Sequence, residues 1–244
     1  MRASIELFVS GLAAAARFLP RAWRSSWAAL ALTALVVGLA LDAGGAWWLA
    51  VAVLALVTRG GLWRLALTGD KPGPGGLQAG RIELRLAVAW LLSGLFLAIL
   101  AMLLLVVFLA CAYAVASAGP GFNAAEVATW RPAIVGRGEA LLGAVGVVGL
   151  AALAFAAARI SLAEPATVAR GRLQVLSTWP LTRGRALVLL TGHAVLAALV
   201  IALAALRWPG PWWIACESLA VAGLWLPTSV GFMAYAYESR IEGR

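Results

Sequence analysis

Arginine side chains beside carboxylates are the residues of this sequence best suited to chemistry. They form two groups: Arg64, Arg81, Glu83 and Arg85 in segment 59–85, and Arg159, Glu164, Arg170 and Arg183 in segment 159–185. A planar guanidinium matches phosphate oxygens through paired hydrogen bonds, so the six arginines are candidates for binding a phosphate or an anionic lipid headgroup. The two glutamates are candidates for structural ion pairs. A salt-bridge layer with no ligand is the alternative interpretation of the same residues.

Two further polar residues lie within long apolar runs. His193 interrupts the run 186–206, and Glu217 lies one turn into the run 212–235. Polar groups are costly inside a membrane, so both are candidates for a polar path through it. The alternatives are an interhelical hydrogen bond for His193 and hydration at the membrane interface for Glu217. No second histidine or acid stands at ligand spacing, so we predict no metal site, catalytic residue or cofactor.

The composition predicts that a bilayer solvates much of the chain. Hydrophobic residues make up 64% of the sequence and charged residues 12%, and the mean hydropathy is +0.96. Soluble domains carry roughly 45–50% apolar residues. The net charge of +9 would suggest nucleic acid in a soluble protein. Here the basic residues flank apolar runs, which favours membrane topology and anionic headgroups as their role and no nucleic acid.

The order of apolar runs predicts an all-α polytopic membrane protein. Residues 1–25 are predicted to form an amphipathic helix on the membrane surface, ended by Pro20, and 26–238 a six-span membrane domain. The predicted spans are 27–41, 46–67, 86–117, 139–158, 186–206 and 212–235. A single helix over 27–57 is disfavoured, because it would place Asp42 at mid-membrane and the basic segment that follows outside.

Basic residues concentrate in alternate gaps between the spans. Six spans leave 15 of the 18 Lys and Arg residues before 241 on one side, and only Arg131, Arg137 and Arg207 on the other. Loops rich in Lys and Arg stay in the cytoplasm, so we expect a bacterial inner-membrane protein with both termini inside. Residues 241–244 read Ile-Glu-Gly-Arg, a protease recognition sequence that we interpret as the remnant of a cleaved tag.

The second basic segment carries a recognisable pattern. It reads Arg-Ile-Ser-Leu-Ala-Glu-Pro-Ala over 159–166, followed by Ser177, Trp179, Leu181, Thr182 and Gly184. This resembles bacterial polytopic proteins that include the membrane domain found beside glycerophosphodiester phosphodiesterases, and related six-helix proteins. The resemblance covers about 140–200 and implies a membrane fold only. Glu164 and Pro180 depart from the pattern, and the catalytic phosphodiesterase domain is not part of this sequence.

Two functions are expected from these residues. The first is a non-enzymatic scaffold or lipid-handling module, whose cytoplasmic arginines bind membrane lipids with anionic headgroups or a protein partner. The second is a transporter or channel for an ion or small molecule, with a polar path that involves His193 and Glu217. Small residues from Gly143 to Ala156 would let helices approach closely within one chain or in a homo-oligomer.

Overall fold

The computed structural model describes residues 2–70, 73–136, 138–206 and 211–241, and within these ranges it is all-helical. Helix accounts for 85% of the residues, and the described part contains no strand. The helices are α1 (Arg2–Ala43), α2 (Trp47–Leu67), α3 (Arg81–Ser117), α4 (Trp130–Ile134), α5 (Glu139–Ile160), α6 (Ala163–Arg170), α7 (Ala186–Leu206), α8 (Pro211–Leu219) and α9 (Leu226–Ile241). Lys71, Arg137, most of the predicted outer turn at 207–211 and residues 242–244 of the tag remnant lie outside the described residues.

The first helix does not end at Pro20, so that prediction was wrong. Pro20 lies inside α1, and the helix is interrupted only at Ser26, whose φ of −131° and ψ of 24° are not helical. Proline costs a helix one hydrogen bond, but packing can offset that cost. Ala15 and Phe18 are buried against Gly231 of α9, where a methyl group would lie 3.1 Å from the Cα of Ala15. The helical segment that begins at Arg2 therefore runs past Pro20, and the non-helical Ser26 separates it from the predicted first span.

A tight turn joins α1 and α2 into a hairpin, as predicted. Gly44 and Gly45 both adopt positive φ angles, which glycine tolerates without steric cost. Two buried hydroxyls link the helices below the turn, because the Oγ1 atoms of Thr33 and Thr58 lie 2.9 Å apart. Hydrogen bonds of this kind hold helices together where the surroundings are apolar.

Two compact units divide the chain. Unit 1 comprises Met1–Leu91 and Ala158–Arg244, and unit 2 comprises Leu92–Ala157. The core of unit 1 is built mainly from α1, α2 and α9, with Trp63, Phe232 and Tyr237 among its most buried side chains. Unit 2 carries an aromatic cluster in which the Tyr113 ring lies 5.4 Å from that of Phe122 and 5.7 Å from that of Trp130.

The predicted span 212–235 consists of α8, a π-helical turn at Ala220–Trp225, and α9. Pro227 lies two residues after this turn, as the second residue of α9. Proline has no N–H to donate to the carbonyl of Gly223, four residues earlier. The indole Nε1 of Trp23 donates to that oxygen instead, at 2.9 Å. A side chain from α1 thus supplies a donor that Pro227 cannot.

Several helices are long and apolar enough to cross a membrane. By length and composition there are five among the described residues: Ile5–Ala43, Trp47–Leu67, Pro74–Ser117, Glu139–Arg170 and Trp212–Ile241. A shorter apolar helix, Ala186–Ala198, lies within the predicted span 186–206. These helices indicate a membrane protein.

Candidate anion-binding site

Glu164 joins the two basic segments of unit 1. Its Oε2 atom accepts hydrogen bonds from Nε of Arg59 at 2.8 Å and from Nε1 of Trp63 at 2.8 Å. Nη2 of Arg59 lies 2.8 Å from the same oxygen, which completes an ion pair. Arg59 and Trp63 stand four residues apart on α2 and so share one face of the helix. The first turn of α6 is thereby fixed to α2.

Glu83 forms a second and more deeply buried ion pair. Its Oε1 atom lies 2.5 Å from Nη1 of Arg64, and the two side chains are only 5% and 9% exposed. Gly60 makes room for the carboxylate, since a methyl group there would lie 2.5 Å from Oε1. We refer to Arg59, Trp63, Arg64, Glu83 and Glu164 as the ion-pair layer. Buried charges of this kind tolerate the loss of a partner poorly.

The residues that carry the family resemblance contact one another. The guanidinium of Arg159 lies over the ring of Trp179, with Cζ 4.9 Å from the ring centroid. The Thr182 hydroxyl donates to the backbone carbonyl of Arg159 at 3.1 Å. Arg159 lies in the last turn of α5, and Trp179 and Thr182 lie in the 3-10 helical turn Leu176–Thr182. The two halves of the pattern therefore form one structural unit around Arg159.

Three arginines lie at or reach the turn that ends α6. Gly171 caps this helix in the left-handed conformation, with Arg170 and Arg172 on either side of it. A methyl group on Gly171 would lie 3.7 Å from Nη1 of Arg85, so the Arg85 guanidinium reaches the same turn. Arg170 and Arg172 are exposed and Arg85 is half-buried. We name Arg85, Arg170 and Arg172 the arginine cluster.

No carboxylate from the described residues forms an ion pair with this cluster. Its side-chain hydrogen bond is to a neutral group, since Nη1 of Arg170 donates to Oε1 of Gln174 at 3.0 Å. Gln174 is fixed in turn, because its backbone N–H donates to the Thr167 hydroxyl at 3.0 Å. The cluster therefore presents concentrated positive charge on an ordered turn, which suits a multiply charged oxyanion.

The six predicted arginines divide by exposure. Arg64 and Arg159 are buried, at 7% and 9% exposure, and Arg64 is engaged with Glu83. Arg81 and Arg183 are exposed, like Arg170, whereas Arg85 is half-buried. Only Arg85 and Arg170 come together in the arginine cluster. The assignment of all six to phosphate binding stays a prediction.

Sequence reasoning missed several residues of this region. Arg172 was counted only as a topological charge, and Arg59 and Trp63 were not paired with Glu164, because only their own i, i+4 spacing is visible in the sequence. Arg185 was also missed. Its Nη1 donates to the Ser239 hydroxyl at 2.9 Å, and burial together with the nearby charge of Arg240 lowers the pKa of Arg185.

The two polar residues of the apolar runs are not linked by a hydrogen bond in the described structure. Nδ1 of His193 pairs with the Leu189 carbonyl of its own helix at 2.9 Å, and its ring packs edge-on against Phe232. Glu217 is half-buried on α8. Within the described ranges, no three His, Cys, Asp or Glu side chains are grouped so as to hold a metal ion.

Comparisons with known proteins gave no significant match: no family model, no curated protein and no solved structure matches this chain. The resemblance to the membrane domain found beside glycerophosphodiester phosphodiesterases thus stays a prediction.

Proposed function

We propose that this chain is a six-span protein of a bacterial inner membrane, with both termini in the cytoplasm, that binds anionic phospholipid headgroups through the arginine cluster. The main support for this proposal is that Arg85, Arg170 and Arg172 lie at or reach one turn. None of the three forms an ion pair with a carboxylate among the described residues. The role is one of binding rather than catalysis.

The charge of the surrounding segments supports a phosphate ligand. Segments 59–85 and 159–185 together contain ten Lys or Arg residues and three Asp or Glu residues. Two of the acids, Glu83 and Glu164, are used inside the ion-pair layer. The excess positive charge is therefore left for an external anion. The cytoplasmic leaflet supplies one, and each basic residue near it contributes about 1 kcal/mol of attraction.

The ion-pair layer gives the cluster a rigid support. It connects α2 to α3 through Arg64 and Glu83, and α2 to α6 through Arg59 and Glu164. The cluster takes Arg85 from α3, Arg170 from α6 and Arg172 from just beyond α6. Sites whose side chains are held in place before binding lose less entropy when the ligand arrives.

Lipid retention tests the site directly. We expect native mass spectrometry of the wild-type protein from mixed-lipid nanodiscs to show bound phosphatidylglycerol. Changing Arg85, Arg170 and Arg172 together to Gln removes about 3 kcal/mol of attraction, which lowers the affinity about a hundredfold. The matched control changes Arg17, Arg21 and Arg24 to Gln, which removes the same charge elsewhere in unit 1. Equal loss of phosphatidylglycerol from both triple variants would show that the lipid is attracted by positive charge in general. It would contradict a specific site at the arginine cluster.

Cysteine labelling tests the topology. In a background in which Cys111 and Cys216 are replaced by Ala, we expect Ala79→Cys to be protected from an impermeant maleimide added to intact cells. Ala124→Cys, in the longest predicted outer loop, is expected to react. Both residues are exposed in the structure, so membrane sidedness decides the outcome. The reverse pattern would place the arginine cluster on the wrong side for the cytoplasmic leaflet.

A further inference from the structure

An open apolar groove of about 610 Å³ runs between α1 and α8 in unit 1. Its walls include Trp23, Leu35 and Leu39 from one side and Ile214 and Leu219 from the other, and Gly38 lies in its floor. The volume falls within the range of about 300–1,000 Å³ that is typical of small-molecule sites. Both walls belong to helices long and apolar enough to cross a membrane, so the groove suits an alkyl chain.

The polar groups along the groove are satisfied internally, with one exception. Trp23 donates its indole N–H to the Gly223 carbonyl, and the Ser218 hydroxyl donates to the Ala215 carbonyl at 3.0 Å. The exception is Asp42, which lines one end of the groove and forms no hydrogen bond or ion pair with any described residue. The groove therefore combines an apolar body with a single unpaired negative charge at one end.

The position of Asp42 strengthens the case for a cationic group. It lies in the last turn of α1, which ends at Ala43. The carbonyls at a helix C-terminus carry partial negative charge, so a carboxylate there is unfavourable unless a cation balances it. A ligand ammonium group beside Asp42 would interact with both the carboxylate and the helix end.

We propose that this groove binds a phospholipid whose headgroup carries a primary ammonium group, with an acyl chain along α1 and α8 and the ammonium at Asp42. The proposal uses the membrane topology proposed above, in which Asp42 faces the outer leaflet, but it does not use the arginine cluster. The groove would select the ammonium group of a zwitterionic headgroup, whereas the arginine cluster would select anionic headgroups.

Competition among lipids in native mass spectrometry tests this site. We expect the wild-type protein, taken from equimolar phosphatidylethanolamine, phosphatidylcholine and phosphatidylglycerol, to retain one phosphatidylethanolamine in preference to phosphatidylcholine. Phosphatidylcholine has the same chains, but its trimethylammonium group cannot donate a hydrogen bond. Equal retention of the two would show that only the chain is bound and would overturn the proposal, as would failure to retain either lipid.

Three variants examine the two parts of the groove. Asp42→Asn is expected to reduce the preference for phosphatidylethanolamine about two- to fivefold, the range for an exposed charge pair. Ala215→Phe, which fills the groove from its exposed rim, is expected to remove the retained lipid, and Ala31→Phe provides the same test from α1. The matched controls are Asp70→Asn in a loop and Ala52→Phe on the exposed side of α2, and both should behave as wild type.

The results separate this site from the proposed function. A preference for phosphatidylethanolamine that is unchanged in Asp42→Asn overturns the groove site, whatever happens to phosphatidylglycerol. Loss of phosphatidylglycerol from the variant lacking Arg85, Arg170 and Arg172, with phosphatidylethanolamine retained, supports two independent sites. Loss of both lipids from that same variant would show a single shared site and would overturn the proposal.

Discussion

Unit 1 and unit 2 differ in how hydropathy relates to burial. Among the five spans long and apolar enough to cross a membrane, the two that contribute to unit 2 contain the most apolar 18-residue stretches, with mean hydropathies of 3.1 and 2.3, yet these stretches are only 6% and 11% buried. The stretch in Trp212–Ile241 of unit 1 has a hydropathy of 1.4 and is 67% buried. The less apolar helix is thus the better packed one.

Lipid explains this inverse relation. Hydrocarbon chains are as apolar as leucine, so a very apolar helix gains nothing by leaving them for another helix. Small residues, hydroxyls and ion pairs supply the attraction instead. Unit 1 has all three, in Gly60 beneath Glu83, in the Thr33–Thr58 pair and in the ion-pair layer. In unit 2, Gly143 and Gly149 face open space.

Removal of one buried charge should show the largest difference between the units. Glu83→Gln leaves Arg64 without its counter-charge in a site that is 5–9% exposed, and such a change typically costs about 3–5 kcal/mol. We expect a marked fall in Tm in lipid nanodiscs. Glu139→Gln in unit 2 removes an exposed carboxylate and should change stability by less than about 0.5 kcal/mol. Equal losses of stability in the two variants would contradict the claim that the ion-pair layer stabilises unit 1.

The second largest difference in stability between the units is expected when a methyl group is added to a glycine. In Gly60→Ala the new Cβ would lie 2.5 Å from Oε1 of Glu83, so we expect a loss of about 1–3 kcal/mol from overpacking. Gly143→Ala meets nothing within 4 Å. Because alanine favours the helix, this variant should gain up to about 1 kcal/mol. Chemical denaturation of both variants in the same detergent measures whether each change lowers or raises the free energy of unfolding. Destabilisation by Gly143→Ala would show that this face of α5 is covered.

A single indole hydrogen bond should give the smallest effect. Trp23→Phe removes the donor to the Gly223 carbonyl, which cannot pair with the nitrogen of Pro227, and we expect a loss of about 1 kcal/mol or slightly more. Trp130→Phe in unit 2 is the control, because the buried Nε1 of Trp130 has no hydrogen-bond partner among the described residues. Its replacement should be neutral or slightly stabilising. Hydrogen exchange at the π-helical turn should rise in the first variant only.

The helical pattern could be predicted from the sequence, whereas most of the contacts could not. Apolar runs and glycine turns gave the bounds of α2, α5 and α7 to within two residues. The prediction that the helix ends at Pro20 was wrong, because the cost of the proline is offset by the packing of α1 on α9. This packing involves residues about 200 positions apart. The arginine cluster was missed for the same reason, since Arg85 meets Arg170 and Arg172 only through the folded turn at Gly171.

The central claim is that the arginine cluster binds anionic headgroups on an ordered support. The most direct measurement is the rise in Tm when phosphatidylglycerol replaces phosphatidylcholine in nanodiscs, since a ligand that binds the native state raises its stability. We predict a rise for the wild-type protein and for the variant with Gln at Arg17, Arg21 and Arg24. For the variant with Gln at Arg85, Arg170 and Arg172, we predict that most of the rise is lost. An undiminished rise in that variant would contradict the account.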